Sequence, residues 1–289
     1  MPSMCLSLLL AALILTLAPA PAQDQKRPSG SPAERLTIGE TFTIPSKVLG
    51  ETRRVNVYAP AAYTASPAVR LPVLYMPDGG IHEDFLHVAG LLQVLTGNGT
   101  MRPFLLVGIE NTERRRDMTG PTANAEDKKI APRVGGSAAF RAFLRDELMP
   151  EVRTRYSTTD ETAIVGESLA GLFVVETFVV APEMFDTFIA FDPSLWWNDK
   201  KLVSGAADLL RAKPRAGRSL FLASSGDAGL KEPVTVFASA AEKSGARVQH
   251  EHMPAETHAT IYHPAALRAF RALFKPGAPS RREVLIVPG

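Results

Sequence analysis

Thr162-Ala163-Ile164-Val165-Gly166-Glu167-Ser168-Leu169-Ala170-Gly171-Leu172-Phe173-Val174-Val175 is the stretch that decides the fold of this chain. Its first four residues form a short apolar run suited to a buried strand, and Leu169–Val180 continues with the spacing of a helix. A strand that turns sharply into a helix at a serine lifts the hydroxyl above the edge of a sheet. The helix amino terminus then favours negative charge developing beside it. Gly166 and Ala170, two residues before and two after the serine, are small enough for the turn to close, although Ala170 stands where glycine is commoner. As a bare string, G-x-S-x-A arises readily by chance in a chain with 21 glycines. The strand before it and the helix after it give it meaning, and they mark Ser168 as a nucleophile.

Working outward, alternating and β-branched runs predict strands at Thr41–Ile44, Arg53–Tyr58 and Leu71–Met76, the last two joined as in a β-meander. Further runs at Phe104–Ile109, Thr162–Val165, Phe188–Phe191, Leu220–Ala223 and Val248–Met253 are separated by helical segments. Helices are expected at Ser137–Tyr156, with Ser137 as N-cap, and at Leu169–Val180, Lys200–Ala212, Val234–Ser244 and Ala265–Phe274. Apolar strands alternating with helices imply an α/β architecture, a mostly parallel sheet covered on both faces, with the site at the carboxyl ends of the strands.

Composition bounds the rest. The net charge of +2 arises from intermixed signs and leaves no footprint for nucleic acid. Leu6–Ala18 is an apolar run followed by Ala20-Pro21-Ala22, which reads as a signal peptide cleaved after Ala22 and places the protein in a secreted or periplasmic setting. The run is shorter than the roughly 20 residues that span a bilayer, so no stable membrane insertion is expected after cleavage. No Lys or Arg precedes it, which departs from the usual signal pattern. Cys5, the only cysteine, would leave with this peptide, so no disulfide or thiolate metal site is expected. Residues 23–34 read as a polar leader, 35–275 as one domain, and 276–289 as a tail.

A serine nucleophile needs a histidine to take its proton and a carboxylate to orient that histidine. His258 follows the last expected strand by a short loop and keeps the chain order serine, acid, histidine. His263 is a rival but begins the final helix. Asp227, at the end of the Ser224-Ser225-Gly226 turn, is the candidate acid, with Glu232 and Glu256 as alternatives. His250 and His252 share one strand face and read as ordinary strand residues rather than a metal pair. His82 and His87 flank Glu83 at a spacing of five, which does not fit a zinc helix. No cofactor is called for. Leu169, after the nucleophile, supplies one oxyanion N–H, and the Pro77-Asp78-Gly79-Gly80 loop is the place for a second.

Five segments together are similar to the esterase family that includes enterochelin esterases and esterase D-type enzymes. Leu74-Tyr75-Met76-Pro77-Asp78-Gly79-Gly80 resembles its Y-L-L-D-G segment. Ile109-Glu110-Asn111, with Arg114, Arg116, Asp117 and Thr119, resembles its I-x-N…R-x-x-D-x-T segment. Gly135-Gly136-Ser137 followed by Phe140, Phe143 and Leu148 is similar to its G-G-x-x-x-F helix. The elbow leads into Ile189-Ala190-Phe191-Asp192-Pro193-Ser194-Leu195-Trp196-Trp197, which looks like its I-x-x-S-P-S-L-W-W segment, and His258 precedes a similar final helix. The resemblance spans residues 35 to 275. It implies an α/β-hydrolase fold, a serine esterase with Ser168 and His258 as catalytic residues, and Gly80 with Leu169 as oxyanion donors. Asp192 stands where the family often has serine, a departure read as lying outside the proton transfers.

Arg114, Arg115 and Arg116 follow a strand on the active-site edge; Arg116, beside Asp117, either fixes the loop or meets an anionic substrate. Trp196 and Trp197 either wall the substrate or pack beneath the loop. The expected partner is a small-molecule ester, of siderophore type or otherwise aromatic or anionic; fold resemblance alone does not choose it. An acyltransferase on the same scaffold, or a binding protein that retains the fold, are the competing readings.

Overall fold

The computed structural model describes residues 34–61, 63 and 68–277. The apolar N-terminal run with Cys5, the leader up to residue 33 and the carboxyl end from residue 278 lie outside them. Among the described residues, no helix is long and apolar enough to cross a membrane.

Eight strands form one sheet: β1 (Glu40–Ser46), β2 (Glu51–Tyr58), β3 (Leu71–Pro77), β4 (Leu105–Ile109), β5 (Thr158–Glu167), β6 (Thr187–Phe191), β7 (Ser219–Ser225) and β8 (Arg247–Met253). Their spatial order is β1-β2-β4-β3-β5-β6-β7-β8. β1 and β2 pair antiparallel, β2 pairs antiparallel with β4, and β3 through β8 run parallel. Each predicted strand is present. The expected β2–β3 meander is not, because β4 inserts between the two. β3, β4, β6 and β7 are buried along their whole lengths, which explains their unbroken apolar runs.

Successive side chains of a strand face opposite layers. Val73 and Tyr75 of β3 pack into one layer with Phe140, Phe143, Phe173, Phe178 and Phe237. Leu74 and Met76 pack into the other with Val88, Leu92, Ala265 and Phe270. The first layer is covered by Ser137–Phe143, Met149–Arg155, Ser168–Val180 and Lys231–Glu242, the second by Phe85–Gly97 and Tyr262–Leu273.

Three helical regions differ from expectation. Phe85–Gly97 was not anticipated; its sequence carries apolar residues on most sides and two glycines, so it lacks the contrast that marks an amphipathic helix. Ser137–Arg155 is interrupted by a wider π-helical turn at Leu144–Leu148, and its N-cap is Gly136; Ser137 is the first helical residue and its hydroxyl is buried without a partner. The expected 200–212 helix is two short ones, Trp197–Ser204 and Ala206–Arg211. In the first, Asn198, Asp199 and Lys200 all have positive φ. Such residues cost roughly 1–2 kcal/mol each. Asn198 N–H donates to Asp127 (2.7 Å) and Asn124 donates to Asp199 (2.7 Å), which pins the turn to the 120–127 loop.

Candidate active site

Ser168 sits at the junction of β5 and the Ser168–Val180 helix with φ of 60°, the left-handed conformation a nucleophile elbow imposes. The turn closes because Gly166 has no side chain: a Cβ there would lie 2.7 Å from the backbone of Ala170. Gly171 leaves similar room for the chain leaving β6, where a Cβ would stand 3.1 Å from Phe191 O.

Three side chains from separate strands converge. Ser168 Oγ lies 3.1 Å from His258 Nε2, and His258 Nδ1 lies 3.2 Å from Asp192 Oδ2. Asp192 directly follows β6, is fully buried (0% exposed), and is held by Ser225 N–H donating to Oδ1 at 2.7 Å. His258 remains open to solvent (41% exposed). The hydrogen bond to Asp192 raises its pKa above the ordinary histidine value; burial opposes this, and the carboxylates of Glu167, Asp192 and Asp227 reinforce it. Ser194 Oγ approaches Ser168 Oγ at 3.5 Å, and Ser194 N–H donates to Ser168 O.

Asp227, expected to orient the imidazole, does not touch the ring. Its Oδ2 accepts the backbone N–H of His258 at 2.8 Å and so anchors the loop that carries the base. Gly226 contributes to the same anchor by donating to Glu256 O at 2.8 Å. Glu232 pairs with Lys200 on the surface, Glu256 accepts from Thr260, and His263 packs near His87. The departure set aside at Asp192 is thus the residue whose carboxylate lies against the imidazole. β6 adjoins β5 in the sheet, so a carboxylate at its end falls beside the serine, and the order serine, acid, histidine is kept. An aspartate immediately after a fully apolar strand was the available signal.

Leu169 N–H is among the first N–H groups of its helix, which have no intrahelical acceptor. Gly80 is different: its N–H donates to Glu83 Oε2 at 2.7 Å, so this expected donor is engaged within its own turn. Arg116, expected either to fix the loop or to meet an anionic substrate, is drawn into the protein's own ion pairs. It is mostly buried, forks onto Glu51 at 2.8 and 3.0 Å, and bonds Asp117 at 2.6 Å, while fully buried Arg53 joins the same carboxylates. The Arg116 guanidinium holds Glu51 down to about 2. This ion cluster fixes the loop after β4. Arg114 turns towards the site, bidentate to Asp78 at 2.7 and 2.8 Å, and Arg115 is exposed. The two tryptophans divide the roles: Trp197 (4% exposed) donates to Gly120 O beneath the loop, whereas Trp196 (42% exposed) faces outward. His250 and His252 both approach Ser224 Oγ, at 3.4 and 3.3 Å.

A sheet of this order, with a serine elbow after β5 and a histidine after β8, defines an α/β-hydrolase-fold protein with a Ser–His–Asp constellation. The family described as "Putative esterase" matches residues 46–275, and the chain belongs to it. It is similar to the ferri-bacillibactin esterase BesA of Bacillus subtilis, at 30% identity over 61% of this chain and 66% of that protein. It is also similar to the iron(III) salmochelin esterase of Escherichia coli, at 24% identity over 65% of this chain and 42% of that protein. The chain therefore spans less than two thirds of the length of both. Among solved structures, an IroE-like serine hydrolase from Shewanella oneidensis superposes with a TM-score of 0.73 at 27% identity, covering 82% of this chain and 80% of that one.

Proposed function

We propose that this protein is a serine esterase that hydrolyses carboxylic esters, with siderophore-type esters as its substrate class. The observation that carries the reading is the line Ser168 Oγ, His258 Nε2, His258 Nδ1, Asp192 Oδ2, with spacings of 3.1 and 3.2 Å. Neutral His258 donates Nδ1–H to Asp192 and accepts the Ser168 hydroxyl proton at Nε2 as Oγ attacks the ester carbonyl. The imidazolium then gives that proton to the leaving alkoxide, leaving an acyl-enzyme that water opens by the same steps in reverse. Leu169 N–H supports the oxyanion, and Gly80 is the candidate second donor, its N–H bonded to Glu83 Oε2 in this structure.

Two features support an anionic substrate. A cleft of about 610 Å³ is lined by Arg114, Arg115, Arg116 and Arg133 with one acid, Glu113; Arg114, Arg116 and Arg133 are paired with the protein's own carboxylates, so exposed Arg115 is the candidate to meet a substrate anion. The similarity to esterases of ferri-bacillibactin and salmochelin supports the same class. Export follows from the apolar run and A-x-A-like site at the amino terminus; amino-terminal sequencing of the processed protein, expected to begin at Gln23, tests it.

For the activity itself, Ser168→Ala should abolish labelling by a fluorophosphonate and lower 4-nitrophenyl acetate turnover by about 10⁴-fold or more. Retained turnover would reject Ser168 as the nucleophile. A ferric catecholate trilactone compared with feruloyl and acetyl sugar esters then tests the substrate class, the trilactone being expected to give the highest kcat/KM.

A further inference from the structure

Glu167, the residue before the nucleophile, has a part in none of the steps above, yet it occupies a costly position. Its carboxylate is largely buried (15% exposed), and Oε1 lies 3.2 Å from His258 Nε2, the nitrogen that receives the serine proton. That oxygen has no hydrogen-bond partner. The imidazole is therefore flanked by carboxyl groups at both nitrogens, Asp192 at Nδ1 and Glu167 at Nε2, with Ser168 Oγ sharing the second position. A largely buried carboxylate oxygen without a hydrogen-bond donor is expensive.

We propose that Glu167 is a second catalytic carboxylate, whose negative charge stabilises the His258 imidazolium at Nε2 while the proton passes from Ser168 to the leaving group. The proposal rests on the esterase reading above. No bond to Glu167 forms or breaks. The serine proton goes to Nε2 as the Oγ–carbonyl bond forms, and it leaves Nε2 for the alkoxide as the ester C–O bond breaks. Glu167 acts only on the charge that exists between these events, from a largely buried position (15% exposed) where its own charge is less screened than at the surface.

The surroundings fit a group poised between two states. Burial pushes Glu167 up to about 7; His258 and Arg114 oppose this, and Asp84 and Asp192 add to it. These neighbours come from every side: Arg114 after β4, Asp84 before the Phe85–Gly97 helix, Asp192 after β6 and His258 after β8. The hydroxyl of Tyr262, buried and without a partner, lies in the same field of Glu167, Asp84 and Asp78. The active form pairs ionised Glu167 with neutral His258. The acid limb of kcat/KM therefore contains two coupled ionisations, and its midpoint belongs to the pair.

The test is Glu167→Gln in the full-length protein, which keeps size and removes charge. Three readouts apply: the pH profile of 4-nitrophenyl acetate hydrolysis, the His258 titration followed by NMR, and the melting temperature against pH. The His258 titration and the acid limb should both move to lower pH by about one unit, because an adjacent anion that favours imidazolium is gone. The limb should reduce to a single proton, and plateau kcat should fall by about 10-fold. The variant should also melt higher than wild type above pH 7, with the difference vanishing as pH falls towards 4.5. The sign follows from a carboxyl whose folded pKa is raised: its ionised form burdens only the folded state. An unchanged His258 titration, or a uniform loss of rate with an unmoved limb, overturns the proposal. Glu167→Asp, which keeps the charge, should hold the limb near its original position; if it follows the Gln variant instead, the charge is not the cause. If neither wild type nor variant hydrolyses any ester, the esterase reading fails, while the NMR titration still decides whether Glu167 acts on His258.

Discussion

Asp192 and Asp227 follow adjacent strands, β6 and β7, and both carboxylates meet His258, but at different ends of the residue. Asp192 takes the ring nitrogen; Asp227 takes the backbone N–H. The histidine starts beyond β8 and must reach the serine on β5, so its loop passes over the two strands between, and each supplies an aspartate where the loop crosses. The nearer one, buried and fixed by Ser225, can hold a charged imidazole. The farther one lies at the foot of the loop and holds the chain. Equivalent residue types in equivalent positions are thus divided between chemistry and support by one strand of lateral distance, about 4.8 Å.

Three substitutions would break or sharpen this division. Asp192→Asn should have the largest effect, a fall in kcat of about 10³–10⁴-fold, because the amide favours the wrong tautomer of the imidazole. The same change removes the leading cause of the raised His258 pKa, so the acid limb of the residual activity should move to lower pH in a profile of kcat/KM. Asp227→Asn should cost only about 10-fold in kcat/KM, together with about 1 kcal/mol of stability in urea melts, since a charge-assisted bond to a loop N–H becomes a neutral one. Trp197→Phe should have the smallest effect, about 1 kcal/mol of stability from the lost bond to Gly120 with hydrolysis little changed. A comparable loss of activity there would mean that the loop beneath Trp197 shapes the site more directly.

The same contrast explains what the sequence could reveal. The Ser168 elbow is legible because strand, turn and helix are contiguous, and Gly166 and Ala170 carry the steric signature within five residues. His258 is legible because a short loop links it to a strand and to the final helix. The carboxylate beside the imidazole is not, because which residue it is depends on which strand lies beside β5, and lateral strand order is a property of the folded sheet. Asp227 satisfied every local criterion and Asp192 satisfied the spatial one. Arg116 is legible only in part for the same reason: Asp117 stands beside it in the sequence, but nothing in a run of three arginines shows that Glu51, on another strand, completes the ion cluster. Glu167 was visible as part of the motif, but its meaning came only when the folded chain brought Nε2 of His258 against it.

The central claim, that Ser168 and His258 work with Asp192 as their acid, is tested most directly by kcat/KM for 4-nitrophenyl acetate in the Asp192→Asn and Asp227→Asn variants. Both should first match wild type in far-ultraviolet circular dichroism. The account predicts that the Asp192 variant is slower than the Asp227 variant by about 100-fold or more. Equal losses, or a greater loss at Asp227, would contradict it.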